Sequence, residues 1–351
     1  MKKNLFLISL ITVFYGNISI AQTNACTKFG VFVNDNALTW QQKADVTDSL
    51  NADYVRLKIT LSTFTGTSGW YDLFARHKHG FKFVANLNWN ENGVIPNFPR
   101  DLTLYGQKIS QVLSKYQPEV VVIENEQQNK AFHPGESAKR YVDMLKTASP
   151  IVHAVGLKMT DGGIYGSGLF MLIYRDLYRI NGLENANSFG SECHLTSDEM
   201  AAARVPNSNP NKEAYMMYFD TLLNAVGQFC DYANIHLYIN PAPRISCDVN
   251  SQKVWPEVQA YIKRRMNKEC ITNETCVRNS YDVHLEKETL DTYKNTFTPY
   301  VIWYSGESGA ANAGSKSLQD PKNGILRPMG HEFRANVLIR NPSCVSVGSS
   351  K

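Results

Sequence analysis

The sequence predicts an α/β fold, a single (β/α)8 barrel, and three observations carry the prediction. Short β-rich runs alternate with amphipathic stretches throughout residues 22–351. Several of the runs are near-continuous in Val, Ile, Phe and Ala, as parallel strands covered on both faces are. No low-complexity linker divides the chain, so repeated β-then-α units read as one domain. The expected strands lie at 28–33, 53–59, 81–88, 119–125, 151–158, 232–238 and 300–305, with a weaker eighth at 333–339. The expected helices, at 40–50, 70–79, 102–116, 136–149, 213–229 and 254–267, place apolar residues at helical spacing. Two regions depart from this pattern. Residues 161–211, rich in Gly, Asn and Ser around a helix at 170–180, read as an extended loop excursion after the fifth strand. Beyond Glu307 the chain is rich in Gly, Ala and Asn, with only a poor helix before the eighth strand and nothing after Ile339 that reads as a closing helix, so the last βα unit is expected to be irregular or truncated.

The first residues are of another kind. Lys2-Lys3, the apolar run 5–15 and Ser19-Ile20-Ala21 form the n-region, h-region and small-residue cleavage site of a secretory signal peptide. The run is too short to span a bilayer. Cleavage after Ala21 would leave 22–351 as one secreted catalytic domain, extracellular or periplasmic, with no membrane span. The formal net charge is +4, and losing Lys2 and Lys3 brings it closer to balance. That balance argues against a nucleic-acid partner, and Lys263-Arg264-Arg265 falls in a helical pattern as a solvated face. The seven cysteines of an exported chain suggest disulfides with one thiol left over. Cys270 and Cys276 are close enough in sequence for a local loop bridge, and Cys26 and Cys344 are candidates for joining the chain ends. No Cys-x-x-Cys or His-rich spacing supports zinc, and His77-Lys78-His79 reads as a surface pair, so no metal or cofactor is expected.

The chemistry sits at two apolar runs that end abruptly in an acid, Val120 to Glu126 and Val301 to Glu307. Desolvating an unpaired carboxylate is costly, so a buried strand avoids one. The carboxyl end of a strand is the exception, because it opens into the active-site crevice of α/β proteins. Two such acids on distant strands suit glycoside hydrolysis, with one protonating the leaving oxygen and the other attacking the sugar ring from the opposite side.

Further residues sharpen this pattern. Asn125-Glu126 ends the fourth run and Gly306-Glu307-Ser308-Gly309 the seventh, with Arg56 in Tyr54-Val55-Arg56-Leu57 and Tyr238 in Ile235-His236-Leu237-Tyr238 between them. Together they resemble the retaining glycoside hydrolases of clan A, built on the (β/α)8 (TIM) barrel, nearest in motif to the cellulase–mannanase branch. The resemblance covers the chain from the first strand to the seventh. It implies Glu126 as acid/base, Glu307 as nucleophile, Arg56 beside the nucleophile and Tyr238 hydrogen-bonded to it, with a β-linked oligo- or polysaccharide as substrate. Glu307 or Glu124 would help keep Glu126 protonated, and Arg56 with Tyr238 would keep Glu307 ionised. Asn125 is the candidate partner for the sugar's 2-hydroxyl. Trp89 and Trp303 are candidate stacking surfaces, and Asn88 and His236 candidate polar contacts. The chain departs from the family in Glu124 before the Asn-Glu pair and in Asn88-Trp89 where the branch often has His. It also has no tryptophan after Trp303.

Two other readings use the same residues. Gly306-Glu307-Ser308-Gly309-Ala310 is similar to the nucleophile elbow of carboxylesterases, with Ser308 as nucleophile and Asp320 and His331 in the required order. Against it stand Ala310 where the motif has Gly and the lack of an upstream His-Gly-Gly segment. A barrel that binds glycans without cleaving them is the third.

Overall fold

The computed structural model describes residues 26–77, 80–241, 248–278, 282–306 and 317–338. Its strands are β1 (Lys28–Val33), β2 (Tyr54–Thr60), β3 (Lys82–Asn88), β4 (Val120–Ile123), β5 (Lys158–Asp161), β6 (Tyr232–Asn234), β7 (Leu237–Ile239), β8 (Asp248–Val249), β9 (Glu269–Val277) and β10 (Tyr300–Ser305). Every pairing between them is parallel. The order runs β10-β1-β2-β3-β4-β5-β6-β9, and β9 pairs β10 to close the ring. The result is a closed eight-stranded barrel, the predicted (β/α)8 architecture. β7 continues the line of β6 against the far half of β9, and β8 is added outside it.

Around the barrel lie α1 (Trp40–Ser49), α2 (Gly69–Ala75), α3 (Leu102–Lys115), α4 (Ala138–Ala154), α5 (Ser167–Asn181), α6 (Leu183–Glu192), α7 (Ser197–Arg204), α8 (Pro210–Phe229), α9 (Trp255–Met266), α10 (Val283–Asn295) and α11 (Pro328–Leu338). Their starts follow ordinary capping physics. Thr39 and Thr196 close capping boxes with Gln42 and Glu199, and Asp101 and Asp282 each accept two backbone N–H groups. None of the helices among the described residues is long and apolar enough to cross a membrane.

The barrel interior is layered. Its lower part is apolar, built from Tyr54, Val84, Val120, Val122, Ile271, Tyr300 and Ile302. Two residues further along the same strands the inward positions become polar: Arg56, Asn86, Glu124 and Asn273, all buried. This switch at a spacing of two marks the carboxyl end as the working end of the barrel.

Several expected elements are corrected. The seventh stave is β9, which the sequence reading passed over, so Tyr300–Ser305 is the eighth and Glu307 follows it. β9 escaped notice because Thr272, Asn273 and Thr275 are polar yet buried, and because it carries a bulge. Val301 pairs Thr272 while Trp303 pairs Thr275, so one extra residue breaks the alternation. Residues 333–339 do not form a strand: through Leu338 they belong to α11, which packs on α10 and supplies the closing helix thought missing. The run 151–158 divides differently, since Val152 extends the buried stripe of Leu145 and Ala148 in α4 and the strand begins only at Lys158. Residues 161–211 hold α5, α6 and α7 and the start of α8 in place of an open loop. Cys270 and Cys276 are buried on one strand and carry no disulfide. Six residues of extended chain separate them by about 20 Å, far beyond the reach of a disulfide. Cys344 lies outside the described residues.

Candidate active site

Glu126 is aimed by an unusual loop. After four apolar residues of β4, Glu124 and Glu126 both adopt left-handed backbone conformations, φ 63° and 46°. Such residues cost roughly 1–2 kcal/mol each and persist where surrounding bonds over-determine them. Here Glu126 N–H donates to Gly162 O at 2.8 Å, and Asn129 N–H donates back to Glu126 O at 2.8 Å. His133 Nε2 stands 2.6 Å from Asn125 O. The Glu126 carboxyl then meets two side chains: Asn129 Nδ2 donates to Oε2 at 2.9 Å, and His236 Nδ1 lies 3.2 Å from Oε1.

Facing it across the cleft is Glu274, on the bulge of β9. Arg56 Nη1 and the Tyr238 hydroxyl each make a short hydrogen bond to its carboxylate, one to either oxygen. Burial alone would raise the Glu274 carboxyl. The Arg56 charge, His236 and the two hydrogen bonds outweigh it and hold the group well below the usual carboxylate range. The Tyr238 hydroxyl moves the other way: burial first, then Glu274 and Glu126, pushes it up, so it stays a donor. One ligand atom from each of Glu126, His236 and Glu274 lies within 4.8 Å of the others.

The proton inventory of this cluster follows from Arg56. A guanidinium only donates, so Arg56 Nε bonded to Asn86 at 3.0 Å identifies that atom as Oδ1. The Asn273 amide atom 3.0 Å from the same oxygen must then be Nδ2, which leaves Asn273 Oδ1 to face His236 Nε2 at 2.6 Å and Asn234 Nδ2 at 2.7 Å. His236 therefore donates through Nε2. Nδ1 is then the ring nitrogen that faces Glu126. Gly163, with φ 98°, makes room for this arrangement, since a Cβ there would stand 2.0 Å from His236 Nε2.

The cleft above has a volume of about 470 Å3 and is lined by amides to an unusual degree: Asn34, Asn86, Asn88, Asn92, Asn125 and Asn129, with Phe32, Phe132, Tyr165, Tyr238, Tyr304, Lys58 and Arg278. Asn125 Oδ1 accepts from Arg56 Nη2 at 2.5 Å, so its orientation is fixed with Nδ2 as its donor end. Asn88 is fully buried, and neither of its amide atoms has a protein partner. An amide desolvated in this way is one that a ligand completes. Arg278 lies over the Tyr238 ring, 3.5 Å from its centroid, and is bonded to buried Asp248 at 3.0 Å.

The structure thus gathers Arg56, Asn88, Asn125, Glu126, His236 and Tyr238 into one cleft. Glu307 and Ser308 lie outside the described residues, and Arg56 and Tyr238, expected to hold Glu307, hold Glu274 instead. Glu124 makes no side-chain hydrogen bond to Glu126. Its side chain turns under Trp89, whose backbone N–H donates to Oε1 at 2.6 Å, and burial pushes its carboxyl well above the ordinary range. Neither tryptophan lines the cleft. Tyr304 points inward to the cleft, so Trp303 beside it points outward and packs on Phe333 of α11 at 6.0 Å between centroids. The Trp89 ring meets the edge of Tyr105. Of the residues named for the esterase, Asp320 caps its own turn by accepting from Lys322 and Asn323, and His331 is an exposed residue of α11. The sequence reading missed Glu274, Asn86 and Asn273. The available signal was Cys270-Ile271-Thr272, a β-prone run ending close to an acid, hidden by taking the two cysteines as a bridge.

No family model matches this chain, and no curated protein matches it. Solved structures do, at the level of fold. A glucosidase from Croceicoccus marinus superposes with a TM-score of 0.58 at 11% identity, covering 90% of this chain and 67% of its own. A family 39 glycoside hydrolase from Bacteroides cellulosilyticus gives 0.57 at 13%, covering 90% and 64%, so this chain spans just under two thirds of that protein. The endo-β-1,4-mannanase from Thermotoga petrophila gives 0.53 at 11%, covering 93% and 79%. These likenesses establish the (β/α)8 barrel.

Proposed function

We propose that this protein is a retaining β-glycosidase with Glu126 as acid/base and Glu274 as nucleophile. The observation that carries the reading is the facing pair of carboxylates, with oxygens no more than 4.8 Å apart. Retaining enzymes keep the two groups about 5–5.5 Å apart, whereas inverting enzymes need about 6.5–9.5 Å to admit a water. The names of the similar barrels, glucosidase and mannanase among them, support the same class.

In the first step a Glu274 oxygen attacks the anomeric carbon while Glu126, as general acid, gives a proton to the leaving oxygen. The glycosidic bond breaks and a glycosyl ester forms on Glu274. In the second, Glu126 takes a proton from water, which displaces Glu274 at the same carbon, so two inversions give net retention. Arg56 and Tyr238 keep Glu274 anionic and present it to the sugar. Asn125 Nδ2 and the unpartnered amide of Asn88 match sugar hydroxyls, which both donate and accept. The amide lining favours a neutral sugar, since Lys58 and Arg278 already have carboxylate partners in Glu91 and Asp248.

The N-terminal Lys2-Lys3, apolar run and Ala21 further support export, which would let Cys26 and Cys344 close a disulfide between the chain ends. The test of the reaction is the anomer first released from an aryl β-glycoside or a β-linked oligosaccharide, followed by proton NMR. Initial formation of the β-anomer is expected, and initial formation of the α-anomer would refute the two-step mechanism. Binding of these sugars with no turnover would favour the non-catalytic barrel.

A further inference from the structure

We infer that Trp40 and Trp70 form a second sugar-binding platform on the rim of the cleft, which holds a distal residue of a polymeric glycan. The inference rests on the glycosidase reading for its ligand and on separate residues for its site. Trp40 opens α1 after β1, and Trp70 lies in the first turn of α2 after β2, so both sit at the carboxyl end of the barrel, where the cleft opens. The two indoles stack with centroids 4.8 Å apart and planes 24° apart.

The stack is held from behind. Trp40 meets Phe74 of α2 edge-on at 6.5 Å, and the ammonium of buried Lys43 stands over its ring at 4.4 Å. Trp70 is tied down by its indole N–H, which donates to the Lys58 carbonyl at 3.2 Å. Trp70 is nonetheless 40% exposed. A tryptophan this open, oriented by a hydrogen bond and backed by a second indole, has spent its conformational freedom before any ligand arrives.

Continuity with the cleft names the occupant. The side chain of Lys58 lines the cleft while its carbonyl anchors Trp70, so one residue of β2 joins the two surfaces. A glycan leaving the cleft on the β1–β2 side meets the indole next. The apolar C–H face of a pyranose ring suits an indole face, and its hydroxyl edge stays in water. A lone aryl monoglycoside is too short to reach it. The platform therefore gives preference for chain length.

The experiment compares wild type, Trp70→Ala and Trp70→Phe on a p-nitrophenyl β-monoglycoside and on whichever of carboxymethyl cellulose, laminarin and galactomannan the wild type cleaves. Matched melting temperatures show that the folds are equivalent. Trp70→Ala is expected to lose about three- to tenfold in kcat/KM on the polymer, through KM, with the monoglycoside unchanged and Trp70→Phe retaining most of the effect. Equal losses on both substrates, or none on the polymer, would overturn the platform. If the wild type cleaves nothing, the glycosidase reading fails separately. Affinity electrophoresis in the same polysaccharides then decides the platform, which predicts retardation of wild type and less of Trp70→Ala, and which equal mobility would overturn.

Discussion

Replacing Tyr238 with phenylalanine removes one hydroxyl and leaves the ring that stacks with Arg278. In the structure that hydroxyl donates to Glu274 Oε1, and it is one of the causes that hold the Glu274 carboxyl below its ordinary range against the pull of burial. A hydrogen bond to a charged group contributes about 1.5–3 kcal/mol. At about 1.4 kcal/mol per pKa unit, losing it raises the Glu274 pKa by about one to two units. The sign follows from the mechanism: Glu274 must be ionised to attack, so the acidic limb of kcat/KM moves up in pH by that amount. The alkaline limb does not report Glu274 and stays where it is. Measured on an aryl glycoside from about pH 3 to about pH 8, the acidic limb of the free enzyme lies at or below the start of the range in wild type and enters it in the variant. An acidic limb that does not move, or a shift of the alkaline limb alone, would refute the assignment of Tyr238 to the nucleophile.

Two further substitutions separate function from stability. Asn88→Ala removes an amide with no protein partner, so the melting temperature is expected to hold or rise. The loss of about two neutral hydrogen bonds to substrate, about 1–3 kcal/mol, lowers kcat/KM about 5- to 150-fold. A fall in melting temperature with unchanged kinetics would contradict a ligand role. Glu124→Gln keeps the acceptor for Trp89 N–H and removes an ionisable group that burial holds protonated. Below the ordinary Glu range the wild-type acid is protonated folded and unfolded. As pH rises from there toward the folded pKa only the unfolded chain ionises, and stability is lost. The variant should therefore be more stable relative to wild type at about pH 7 than at about pH 4. A thermal-melt difference equal at both pH values would contradict this.

The parts of the site that were legible in the sequence are those where burial and chemistry change abruptly. The run Val120–Ile123 is wholly apolar and wholly buried, so an acid three residues later has to be explained, and Asn125-Glu126 explained it. Arg56 and Tyr238 were legible only through the resemblance, as the arginine and tyrosine that such enzymes set beside the nucleophile. β9 fails that test: its inward residues are polar because they hold Arg56, His236 and Asn86 in place, and its bulge places Asn273 and Glu274 together. A strand that serves the site thus loses the apolar alternation by which strands are recognised. Gly306-Glu307-Ser308-Gly309 then drew the second role because its motif was clear, although a count of staves including β9 places it after the eighth. Trp303 shows the remaining weakness: strand parity turns it toward the helices, which only a fixed register reveals.

Azide rescue tests the pairing of roles most directly. With Glu126→Ala the glycosyl ester on Glu274 still forms from a substrate with a good leaving group, and azide displaces it to give the β-glycosyl azide. With Glu274→Ala azide takes the place of the missing carboxylate and gives the α-glycosyl azide. Glu307→Ala is expected to keep wild-type turnover and yield no azide product. An α-glycosyl azide from Glu307→Ala, with Glu274→Ala still fully active, would contradict the account.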